Sequence, residues 1–135
     1  IYYKKACENG RARACAGFAR THMANARQES WQYAKKACKQ GIGNGCRYQA
    51  YILEQGNLRP KNLNAQIEKL LSKGCELKDS TSCLRLANRF ARHEKTVSIS
   101  LKYLKKACEY GNKVACERRQ TLAKRQVKNS NQRNK

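Results

Sequence analysis

Cysteine carries the richest potential chemistry in this chain, and its spacing is regular. All eight cysteines fall into four C-x7-C units, Cys7/Cys15, Cys38/Cys46, Cys75/Cys83 and Cys108/Cys116. Disulfide bonding, zinc ligation and buried reduced thiols compete to explain them. Structural zinc sites favour cysteines separated by about two to four residues, and no such pair occurs. Buried thiols would need no constant distance to a partner. An even number at one fixed spacing favours disulfides and an oxidising compartment.

The elements that hold the cysteines follow from geometry. On one straight helix, each pair would sit roughly 12 Å apart, whereas bridged Cα atoms lie within about 7 Å. If the pairs are bonded, the chain must turn between them. The intervening residues suit a turn: Asn9-Gly10, Gly41 to Gly45, Asp79-Ser80 and Gly111-Asn112 are helix-ending and helix-capping chemistry. Each unit therefore reads as helix, short turn, helix, with one cysteine ending the first helix and the other opening the second. Closing such a ring contributes on the order of 2 to 3 kcal/mol in the chain-entropy model.

The units belong to a longer repeat. Their first cysteines are 31, 37 and 33 residues apart, close to the period of helix-turn-helix solenoids. Bulky residues precede that cysteine by four or five positions, at Tyr2-Tyr3, Gln32 to Ala34, Leu70-Leu71 and Tyr103-Leu104. A small residue stands directly before it, at Ala6, Ala37, Gly74 and Ala107. A second stripe runs through Phe18-Ala19, Ala50, Leu86-Ala87 and Leu53 or Phe90. In the last unit, Arg119 and Gln120 replace it, as suits a terminal repeat with nothing stacked upon it.

Composition leaves a thin core and a strong charge. Apolar residues make up 40% of the 135 and lean on alanine and tyrosine, and no segment approaches the roughly 20 apolar residues of a membrane span. The chain opens at Ile1, inside a helical pattern, so an N-terminal portion is expected to precede it. Thirty Lys and Arg against nine acids give +21, which implies an anionic partner or surface. Lys4-Lys5, Lys35-Lys36, Lys73 and Lys105-Lys106 recur at matching places, so stacking would align them. A solvated face with cations near helix C-termini is the plainer account. After Glu117 there is no acid, and Gln126 to Lys135 is expected to fray or be disordered. Nucleic acid fits poorly as the partner, because no recognised DNA or RNA module appears and the cysteines point outside the cytosol.

Tyr-Tyr-Lys-Lys-Ala-Cys at Tyr2 to Cys7, Tyr-Leu-Lys-Lys-Ala-Cys at Tyr103 to Cys108 and the run from Gly74 to Cys83 resemble Sel-one-like repeats of the Helicobacter cysteine-rich protein family. The resemblance implies an all-α solenoid of disulfide-bridged αα-hairpins in an exported protein. It also implies bridges Cys7 to Cys15, Cys38 to Cys46, Cys75 to Cys83 and Cys108 to Cys116. Residues 1–125 then form about four hairpins, the first incomplete, and 126–135 a basic tail. The link between repeats departs from the family's Gly-x-Gly-Val-x-x-Asp pattern: a trace survives in Gln55 to Lys61, while Asn25 to Ser30 and His93 to Ser98 look shortened.

The resemblance further implies penicillin binding or weak β-lactam hydrolysis as an alternative function. The residues themselves point elsewhere. Ser-x-x-Lys, Ser-Asp-Asn and Lys-Thr-Gly are absent. His22 and His93 stand in different repeats, and His93-Glu94 lacks the second histidine of His-Glu-x-x-His. No catalytic residue, metal site or cofactor is expected, and enzymatic activity rests on the resemblance alone. The sequence predicts a periplasmic or secreted scaffold for protein-protein interaction, with Lys5, Lys36, Lys73 and Lys106 facing an acidic protein or an anionic envelope component.

Overall fold

A computed structural model describes residues 2–56 and 61–133, with side chains for 3–56 and 61–128. The described residues form four antiparallel helix pairs: α1 (Tyr2–Glu8) with α2 (Ala12–His22), α3 (Arg27–Lys39) with α4 (Gly43–Gln55), α5 (Leu63–Glu76) with α6 (Ser80–Phe90), and α7 (Val97–Glu109) with α8 (Lys113–Arg133). A single 3-10 turn, Glu94–Thr96, leads into α7. Each helix packs on the next in chain order, and α4 also touches α2 and α6. The architecture is an α-solenoid.

One backbone turn, used four times, explains the constant cysteine spacing. The residue three places after the first cysteine has a left-handed conformation: Gly10, Gly41 and Gly111 have φ of 91°, 88° and 96°, and Lys78 has 66°. Glycine meets this demand without a Cβ clash, so Lys78 is the strained member. The next residue's N–H reaches back to the carbonyl before the cysteine. Arg11 donates to Ala6, Ile42 to Ala37, Asp79 to Gly74 and Asn112 to Ala107, each at 3.0 Å. This is the Schellman closure of a helix C-terminus. The new helix starts one residue later and presents the second cysteine as its fourth residue. Bridged Cα atoms are then 4.7 Å apart in all four units.

Burial is divided among the junctions rather than gathered in one centre. Cys7, Cys15, Ala16, Ala19, Ala34, Ala37 and Tyr48 pack the first junction. Ala50, Ile67, Leu71 and Leu86 pack the second. Cys75, Cys83, Ala87, Leu104, Ala107 and Ala115 pack the third. Small residues set how closely the hairpins approach. A Cβ on Gly43 would lie 3.0 Å from the Gly74 carbonyl oxygen and 2.8 Å from the Asp79 Cβ. Asp79 also caps α6, accepting from the Ser82 N–H at 3.2 Å, and takes the Arg47 Nε at 2.9 Å from the preceding hairpin.

Two local expectations change, and a third lies outside the described residues. Tyr3, expected on a buried stripe, is 40% exposed. Its ring instead lies over α2, where a Cβ on Gly17 would come within 2.7 Å. The tail expected to fray or be disordered from Gln126 is helical through Arg133, since α8 meets neither glycine nor proline. Its residues Lys124 to Lys128 are exposed. The link trace at Gln55 to Lys61 falls largely on 57–60, outside the described residues.

Candidate functional site

The repeated turn fixes where the lysines go. Lys5, Lys36, Lys73 and Lys106 each stand two residues before the first bridging cysteine, in the last turns of α1, α3, α5 and α7. Cations there complement the partial negative charge of a helix C-terminus. Lys5, Lys36 and Lys73 are exposed. Lys106 is half-buried, with its Nζ 5.7 Å from the Tyr103 ring centre, so a cation–π contact already engages it. None of the four forms an ion pair among the described residues, where the pairs use Arg47, Arg85 and Arg89 instead.

The helix boundaries reveal a second sorting of charge that the sequence reading missed. The helices α2, α4 and α6 carry Arg13, Arg20, Arg47, Arg85 and Arg89 and no lysine. The helices α1, α3 and α5 carry seven lysines and only Arg27. Lysine is a compact, strongly hydrated point charge, whereas arginine presents a planar fork that grips carboxylates in two places. In the first three hairpins, the first helices thus carry diffuse positive charge and the second helices directional donors, whereas α8 mixes lysine with arginine.

Three of those arginines, Arg20, Arg47 and Arg85, meet Arg27 of α3 in a groove of about 360 Å³. Arg20, Arg27, Arg47 and Arg85 line it together with Tyr48, Tyr51 and Ile52. No acidic residue lines it. Tyr48 and Ile52 are buried, giving an apolar floor. The Arg47 guanidinium lies 5.0 Å from the Tyr48 ring centre and Arg85 lies 5.5 Å from that of Tyr51. Arg47 uses Nε on Asp79 at 2.9 Å. Arg85 makes a long contact of 3.9 Å to Glu54, while Arg20 and Arg27 are exposed and form no ion pair. Sorting the cations by type and by helix is the sequence signal that could have pointed here.

The histidines stay apart. His22 is half-buried, stacked on Phe18 with ring centres 4.2 Å apart, and its Nδ1 lies 2.7 Å from the Thr21 hydroxyl. Exposed His93 precedes the 3-10 turn. Among the described residues, no three His, Cys, Asp or Glu side chains converge as a metal site would require.

The chain is similar to Helicobacter pylori cysteine rich protein B, a solved structure, at 33% identity and a TM-score of 0.67. The match covers 86% of this chain and 88% of that one. No family model and no curated protein sequence matches. The shared feature is the helical repeat itself.

Proposed function

The chain belongs to the Helicobacter cysteine-rich protein family of Sel-one-like repeats, and from that footing we propose that it is an exported interaction scaffold holding an acidic partner protein. Four hairpins closed by disulfides support an oxidising compartment, the periplasm or the cell exterior. No described helix is long and apolar enough to cross a membrane. The observation that carries the reading is the lysine register: Lys5, Lys36, Lys73 and Lys106 recur on the same turn of every hairpin, none in an ion pair among the described residues, in a chain of net charge +21. A surface so charged accelerates encounter with an acidic protein and loses that advantage as salt rises.

The test uses an acidic protein recovered on the immobilised scaffold from an envelope extract at low salt, then purified. Lys5→Glu, Lys36→Glu, Lys73→Glu and Lys106→Glu together should weaken its binding about tenfold or more at low salt and flatten the salt dependence, a change of charge-pair strength. Circular dichroism should stay unchanged. Deleting residues 126–135 should cost less. Parent-like binding by the fourfold variant, with binding abolished by the deletion, would move the function to the tail. Nitrocefin turnover or covalent capture of labelled penicillin by the purified protein would replace the scaffold reading with the β-lactam one.

A further inference from the structure

The groove on the second helices is a different kind of surface from the lysine register, and its chemistry is more selective. Arg20, Arg27, Arg47 and Arg85 come from α2, α3, α4 and α6, so the donors are strung along three hairpins instead of converging on one point. A lone phosphate or carboxylate could engage only part of such a row. Between the charges lie the rings of Tyr48 and Tyr51 over a buried apolar floor. At about 360 Å³ the groove admits a few side chains and no folded domain.

We infer that this groove binds an extended acidic peptide segment in which carboxylates flank an apolar or aromatic side chain. Its carboxylates meet the forks of Arg20 and Arg27, from the first and second hairpins, and the guanidiniums of Arg47 and Arg85, from the second and third. The intervening side chain lies in the apolar space beside Tyr51 and Ile52, against their edges and not on the ring faces that the guanidiniums cover. Fork-to-carboxylate pairing supplies orientation that lysine cannot, and the neighbouring aromatic surface favours a planar apolar group. Single-stranded nucleic acid shares the extended negative charge, but it binds by stacking bases on open aromatic faces. Tyr48 is only 9% exposed, and guanidiniums already lie over Tyr48 and Tyr51. The arrangement therefore favours the peptide. The inference rests on the acidic-partner reading for the sign of the ligand and adds the place, the residues and the apolar requirement.

The experiment uses the full oxidised chain and two fluorescein-labelled peptides that differ in one position, four glutamates around a central phenylalanine and the same four around a central serine. At physiological salt the phenylalanine peptide should bind at least about tenfold more tightly, the size of a modest apolar contact in a pocket. Arg20→Gln with Arg27→Gln touches no ion pair among the described residues and should weaken that peptide by at least about tenfold, the loss of charge-assisted hydrogen bonds. Tyr51→Leu should shrink the preference for phenylalanine while leaving the serine peptide unchanged. The fourfold lysine reversal should leave the phenylalanine peptide within about threefold of the parent, because screened charges beyond a Debye length contribute little. Equal binding of the two peptides, or parent-like binding by the arginine variant, overturns the inference. Tighter binding of an oligothymidine of matching charge also overturns it. If the lysine reversal abolishes peptide binding and the arginine variant does not, the groove is not the site and the lysine face alone stands. If the arginine variant loses the peptide while the purified partner binds it as it binds the parent, the groove stands apart from the scaffold's main interface.

Discussion

The third and fourth hairpins share one local design and differ in their neighbours. Each has the C-x7-C bridge, the 4.7 Å Cα separation and the 3.0 Å turn hydrogen bond. The third is covered on both sides: Leu71 and Leu86 are buried against the second hairpin, and Cys75, Cys83 and Ala87 against the fourth. The fourth is covered on one. In α8, Ala115 is buried, but Val114 is 47% exposed and Val127 61%. The difference teaches that the bridge and turn define a hairpin, while stacking decides how much free energy holds it in place.

Removing bridges should give the largest contrast. Each double replacement, Cys75→Ala with Cys83→Ala and Cys108→Ala with Cys116→Ala, loses a nine-residue ring worth about 2 to 3 kcal/mol. The central replacement should also uncouple what lies on either side, stripping hydrogen-exchange protection from α4 through α7. The terminal one should expose only α7 and α8. Equal loss of protection throughout the chain in the two variants would contradict additive hairpins.

Truncating the packed aliphatics comes next. Leu71→Ala, at a position with no solvent exposure, should cost about 2 to 5 kcal/mol. Leu122→Ala, half-buried on α8, should cost about 1 kcal/mol, on the order of one or two buried methylenes. Urea unfolding of the two variants measures the gap, and similar losses would place the fourth hairpin in a continuous core.

The caps should separate the hairpins by less. Asp79→Ala removes an N-cap and the Arg47 ion pair between hairpins, and about 1 to 2 kcal/mol should go with it. Asn112→Ala removes only the cap, in which the Asn112 side chain accepts from the Ala115 N–H at 3.1 Å, and should cost about 0.5 to 1 kcal/mol. A double-mutant cycle with Arg47→Ala should find coupling to Asp79 and none to Asn112.

The smallest effect runs the other way. Lys78 occupies the left-handed position that glycine fills in the other three turns. Lys78→Gly should therefore stabilise the protein by about 1 kcal/mol or less, the strain relieved minus the entropy that glycine adds to the unfolded chain. Gly111→Lys should destabilise the last turn by a similar amount. Thermal melts of the pair test this, and a melting point lowered by Lys78→Gly would show a contact of Lys78 outweighing its backbone strain.

The hairpins were legible in the sequence because their chemistry is local. Cysteine, turn residue, capping residue and cysteine fit within nine positions, so their types and offsets carry the helix, the stop and the restart. The lysine register was legible for the same reason, being tied to the cysteine two residues away. Tyr3 was misread because the pattern that marks a buried position assumes helices on both sides to bury it, and α1 packs mainly on α2 among the described helices. The tail, read from its charge as frayed or disordered, continues α8 through Arg133, where neither glycine nor proline stops the helix.

By itself, then, the sequence determined the repeat unit: two helices, one Schellman turn, one bridge and a lysine at a fixed step. Tertiary structure alone decided which cations would share a surface. Arg20, Arg47 and Arg85 stand five, one and two residues after the second cysteine of their hairpins, and Arg27 belongs to a first helix. No common offset relates them. They meet because α4 packs on both α2 and α6, and the side chains on that side close a groove between residues 65 positions apart in the chain. That proximity comes from how hairpins stack, a property of the assembled apolar faces that no stretch of nine residues contains.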